Sequence, residues 1–87
     1  MKFIQTSRGC LIEFNDNEEF AGKSLFLRGE KFSNGYMLGS MLWENPDKDV
    51  VSGSEEEKYL RNLVKCEGKK QGIEIGFYDE VRKNETT

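Results

Sequence analysis

Along most of this chain apolar and polar residues alternate, and only once does the apolar spacing stretch to three and four. That single change of period restricts the fold to strands interrupted by one helix. Leu60, Leu63 and Val64 fall at i, i+3 and i+4, with Tyr59 beside them, and mark one face of a helix. Its start is signalled twice. Ser52 precedes Glu55 by three residues and Ser54 precedes Glu57 by three, so two overlapping capping boxes are possible. Glu55, Glu56 and Glu57 suit the positive end of the helix dipole, and Lys65, Lys69 and Lys70 suit the other end. Gly68 or Gly72 stops the helix.

Everything else with a period reads as strand. Lys2 to Ser7 is short and β-like and ends at the Arg8–Gly9 break. In Cys10–Phe14 the residues Cys10, Ile12 and Phe14 share one face and Glu13 takes the other, while Asn15–Glu19 has turn chemistry. Lys23–Glu30 sets Leu25 and Leu27 against Phe26 and Arg28. Asn34–Gly35 is a hairpin dipeptide, because both residues accept positive φ. Tyr36–Trp43 is apolar on both faces, which places it centrally in a sheet. Gly39 within it marks a bulge or a close packing contact, the latter suiting a helix laid over it. In Gly72–Glu80 the residues Ile73, Ile75 and Phe77 point inward, Glu74 and Gly76 outward. The expected architecture is α+β: a mostly antiparallel sheet of about five strands with one helix on one face, in the order ββββαβ. The uncovered face should carry Glu13, Arg28 and Glu74. Residues 1–78 form one domain and 79–87 a polar, frayed tail.

Composition narrows the chemistry. The chain has 87 residues, 36% hydrophobic and 33% charged, enough for one small domain with a modest core. It contains no histidine, which removes Ser-His-Asp and Cys-His catalysis and imidazole metal sites. Its two cysteines, Cys10 and Cys66, are too few and too far apart for a disulfide framework or a metal site, and read as partly buried small apolar residues. The N-terminus lacks a signal-peptide pattern and no segment is apolar enough to span a membrane, so a cytoplasmic protein without membrane association is expected. A pI of about 5.0 argues against nucleic-acid binding.

The unusual stretch runs from Glu44 to Glu57. It holds six carboxylates and one lysine, a local charge of −5, whereas the whole chain is −3, so the remainder sums to +2. Catalysis by paired acids needs burial to push their pKa values apart, and Asp47 and Asp49 lie in a loop while the glutamates open a helix. The Asp47–Lys48–Asp49 spacing lacks the alternating oxygen ligands and glycine of a calcium loop. The stretches around Gly9 and Gly53 match no phosphate-binding loop, and the glutamates after Gly53 would repel a phosphate. No catalytic residue, metal ligand or cofactor is assigned.

Binding remains. The single Trp, Trp43, directly precedes the acidic stretch, and is expected chiefly as a core anchor that holds it, with Pro46 stiffening the loop. An acidic surface steers a basic partner inwards. The candidate partner-binding residues are Glu44, Asp47, Asp49, Glu55 and Glu56, with Asp47 and Asp49 ahead of the helix-start glutamates, which have a structural use. The partner is a protein, and the chain itself is a monomer or weak homodimer. A small regulatory or structural domain of a phage or mobile element, self-associating through a sheet edge, is the other reading.

Residues Arg8 to Phe77 resemble small immunity proteins of bacterial polymorphic toxin systems, including contact-dependent growth inhibition, and are most similar to immunity protein family 74. The resemblance is carried by Gly9 followed by "CLIEF", by "LFLRGE", by a strand ending in "WENP" (Trp43 to Pro46), by the capped "SEEEKYLRNLV" helix and by the last strand "GIEIGF". It implies a non-enzymatic, cytoplasmic inhibitor that binds one cognate toxin domain, often a nuclease with a basic substrate cleft. It carries over no catalytic residues.

Overall fold

In the computed structural model, which describes residues 1–44 and 47–80, the alternating segments become strands and the one 3.6-period segment becomes a helix. The strands β1 (Lys2–Thr6), β2 (Gly9–Glu13), β3 (Ser24–Phe32) and β4 (Gly35–Glu44) follow one another as antiparallel neighbours. A two-residue strand, β5 (Lys48–Asp49), folds back on the end of β4, opposite Leu42 and Trp43. The helix α1 (Glu55–Lys70) then crosses the sheet and delivers β6 (Glu74–Phe77), which pairs with the beginning of β4. This last pairing is parallel. β4 is therefore central, as its apolar sequence requires. β3 pairs along one side of β4, β5 and β6 share its other side at opposite ends, and β1 forms the far edge of the sheet.

The double apolar character of β4 has a more specific cause than burial on both faces. Between the pairs Leu27–Met41 and Gly29–Leu38 the register shifts, so β4 carries one residue more than β3 at Gly39–Ser40. The bulge reverses the alternation. Tyr36 and Leu38 point to the core before it, Met41 and Trp43 after it. Gly39 marks this bulge and not a close helix contact. A Cβ there would sit 3.6 Å from the Arg28 carbonyl and from the Tyr78 ring, ordinary contact distances.

The core lies between the sheet and α1. Cross-strand pairing lines up Phe3, Ile12, Leu25 and Trp43 in one row and Cys10, Leu27 and Met41 in the next. Leu60 and Val64 are fully buried against this face and Leu63 partly so. Burying each of the first two contributes roughly 1.5–3 kcal/mol relative to exposure. Gly68 does not stop the helix but lies buried within it. A Cβ there would come within 2.7 Å of Ile75 Cγ1 and 2.9 Å of the Ile73 carbonyl, so only glycine lets the end of α1 settle on β6. The stop falls at Gln71–Gly72, where Gly72 takes φ +75°.

Of the two possible caps the chain uses Ser54, and the box is shifted by one residue, because the Ser54 N–H donates to the Val51 carbonyl. Ser54 Oγ accepts the Glu57 N–H at 3.1 Å, and the Glu57 carboxylate reaches back to the Gly53 N–H at 3.0 Å. At the same end of the core Phe14, Phe20 and Trp43 form an aromatic cluster with centroids 5.2–6.0 Å apart, and Tyr59 meets Phe20 at 6.3 Å. Trp43 thus faces the core, on the side of the sheet that α1 covers.

One boundary and one burial differ from expectation. Tyr78, Asp79 and Glu80 turn into a helical segment after β6, and Asp79 and Glu80 bind Arg61, so the folded unit extends to at least residue 80. Residues 81–87 of the expected tail lie outside the described residues. Cys66, expected to be partly buried, is exposed, while Cys10 is fully buried.

Candidate protein-interaction surface

The structure divides the acidic stretch between the two sides of the sheet. Glu44 ends β4 on the open side, opposite Ser24. Asp49, expected in a loop, belongs to β5 and sits on the same open side, opposite Leu42. Lys48 points the other way, opposite Trp43. Asp47 occupies the turn before β5. Pro46, expected to stiffen this turn, lies outside the described residues together with Asn45. Glu55 and Glu56 open α1 and so belong to the layer on the covered side. All five candidate residues are exposed, but Glu44 and Asp49 form one group and Glu55 and Glu56 another, with Asp47 at the turn.

The carboxylates of this region differ sharply in what neutralises them. Glu57 is buried and used by the cap, and its carboxylate lies 3.5 Å from Arg61. Arg61 is the centre of a charge cluster. It binds Asp79 through two parallel hydrogen bonds of 2.9 and 3.0 Å and Glu80 through one of 3.0 Å, with its guanidinium 4.6 Å from the Phe77 ring centre. Lys65 joins the cluster through Glu80. These hydrogen bonds from Arg61 hold the Asp79 carboxyl below its ordinary range. By contrast, among the described residues no ion pair reaches Glu44, Asp47, Asp49 or Glu56, and Glu55 has only Lys58 at 3.9 Å.

The open face also carries a feature that sequence reasoning missed. Ile4, Leu11, Phe26 and Leu42 are cross-strand neighbours in series and make one apolar row across β1 to β4. Each is only partly buried. A shallow groove of about 350 Å³ follows the row past Leu11, Phe26 and Leu42 to Glu44. Alternation within β3 does put Phe26 outward. Registers across strands were needed to see that Ile4, Leu11 and Leu42 join it.

Among the described residues there is no group of three or more His, Cys, Asp or Glu placed to hold a metal ion. No described helix is long and apolar enough to cross a membrane. No protein-family model, curated protein or solved structure matches the chain. The resemblance to immunity proteins therefore rests on the residues that carry it in the sequence.

Proposed function

We propose that this chain is an immunity protein: a non-enzymatic, cytoplasmic module that neutralises a cognate toxin domain, a nuclease by the resemblance, through direct protein contact. One observation carries the reading. Around the helix, carboxylates that support the fold, Glu57, Asp79 and Glu80, are paired with Arg61, while Glu44, Asp47, Asp49 and Glu56 stay exposed and unneutralised among the described residues. Exposed like charges repel slightly, and apart from Glu56 at the positive end of the helix dipole these add nothing to stability where no cation answers them. They do attract and orient a basic surface, such as one that binds a nucleic-acid backbone. Trp43 supports this surface from beneath, as a core residue at the base of the β4–β5 hairpin.

The test is co-expression with the product of the neighbouring open reading frame, followed by association kinetics at two ionic strengths. Asp47→Lys with Asp49→Lys should slow association and flatten its salt dependence, while the thermal midpoint moves little, since exposed substitutions usually stay within about 0.5 kcal/mol. If the double variant binds and protects as the wild type does, the acidic hairpin is not the contact.

A further inference from the structure

The open face of the sheet carries an apolar row that a fully solvated face would not normally have. An antiparallel sheet with one solvated face normally alternates cleanly, apolar inward and polar outward. Here four outward positions in a line are apolar, Ile4, Leu11, Phe26 and Leu42. What could cover them is indicated by the charges on either side of the row. One flank carries Glu13 and Glu44, with Lys2 at its β1 end. The other carries Arg28, paired with Gly9, and Arg8 in the β1–β2 turn, with Glu30 one row further out. Glu13, Glu44, Arg8 and Arg28 are exposed, and among the described residues none of them forms an ion pair within the chain.

A uniformly basic partner would meet Arg8 and Arg28 on this face, and a uniformly acidic one would meet Glu13 and Glu44. A second copy of the chain meets neither obstacle. For two sheets packed face to face, a two-fold axis along the apolar row lays the acidic flank of one copy over the basic flank of the other. Glu13 then comes over Gly9, between Arg8 and Arg28, and both Glu13 and Glu44 lie about one strand spacing, roughly 4.8 Å, from Arg28, while Lys2 falls over Thr6. The alternative axis, parallel to the strands, sets like charges over like. We infer that this protein forms a symmetric homodimer through its open sheet face, with Phe26 and its row as the apolar centre and the Glu13/Glu44 and Arg8/Arg28 flanks as reciprocal ion pairs. The row is one residue wide and partly shielded already, so the dimer is weak. The inference does not depend on the proposed toxin. The two surfaces overlap at Glu44 and at Asp49, which continues the row past Leu42 and would face its own copy across the axis, a repulsion that further limits the strength of the dimer, while Asp47, Glu55 and Glu56 lie off the row.

Sedimentation equilibrium of the full chain, from micromolar to millimolar concentration, tests it without any partner. The wild type should approach twice the monomer mass, less readily at high salt. Phe26→Glu should leave a monomer. Should that variant fail to fold, two charge variants decide the matter. Arg8→Glu with Arg28→Glu makes both flanks acidic, and Glu13→Arg with Glu44→Arg makes both basic. Each variant alone should self-associate about tenfold more weakly or worse, and an equimolar mixture should recover the association. A wild type that stays monomeric throughout overturns the inference. So do charge variants that dimerise alone as the wild type does, or a folded Phe26→Glu chain that still dimerises.

Discussion

Ser54 and Glu57 show how much one pair of side chains can decide. The sequence offered two serines with glutamates three residues on, and the chain uses the second because Glu57, unlike Glu55, also turns inward to Gly53 and Arg61. Ser54→Ala should cost about 1 kcal/mol in a denaturant melt, whereas Ser52→Ala, an exposed position with no cap to lose, should cost little. Gly35 is a second such residue. A Cβ there would stand 1.9 Å from the Glu74 carbonyl, so Gly35→Ala must push β6 away from β4. The expected outcome is a clear fall in thermal midpoint with faster exchange of the β6 amides. The two thiols differ in the same residue-by-residue way. Burial pushes the Cys10 thiol up, and Cys66 is exposed, so a thiol reagent should modify Cys66 readily in the native protein and Cys10 only on unfolding.

At the scale of elements, α1 does most to complete the core. Its inward stripe differs slightly from the one the spacing indicates. Leu60 and Val64 are fully buried, with Glu57 and Gly68 a turn further on either side, while Leu63 sits at the margin. Leu60→Ala should therefore cost roughly 2–5 kcal/mol and Leu63→Ala distinctly less. Equal losses would place the stripe one residue round the helix. The β4–β5 hairpin depends on Trp43, packed between Phe14, Phe20 and the Lys23 side chain, whose ammonium lies 5.5 Å from the indole centre. Trp43→Ala should lower stability by about 3 kcal/mol, at the smaller end for a large aromatic because the ring is only partly buried.

For the whole molecule, charge is arranged in two ways. Around Arg61 it is paired and joins the helix to the turn after β6. Along the open face and the hairpin it is exposed and, among the described residues, enters no ion pair. The paired set has a pH signature. Asp79 titrates below its ordinary value in the folded chain because Arg61 bonds its charged form. The stabilisation from that pair is thus fully present above the unfolded value, about pH 4, and is lost as pH falls through the lower folded value. Asp79→Asn should flatten the decline of thermal midpoint below about pH 4 and lower the midpoint modestly at neutrality, the carboxylate being largely exposed.

What the sequence determined alone was local. Alternation at Cys10–Phe14 and Ile73–Phe77, the Asn34–Gly35 turn and the Ser54 cap each act over a few residues, so they are legible as a string. The class, the element order and the central position of β4 follow from them. Tertiary structure decided everything that depends on register. The parallel pairing of β6, the Gly39–Ser40 bulge that keeps both halves of β4 facing the core, and the small strand Lys48–Asp49 all arise from which backbone groups meet across strands. The candidate surface divides along the same line. Its carboxylates were visible as a charge excess from Glu44 to Glu57, but their separation onto two sides of the sheet was not. Nor was the row from Ile4 to Leu42, because a side chain's neighbours across a sheet are set by hydrogen-bond registers that no single segment encodes.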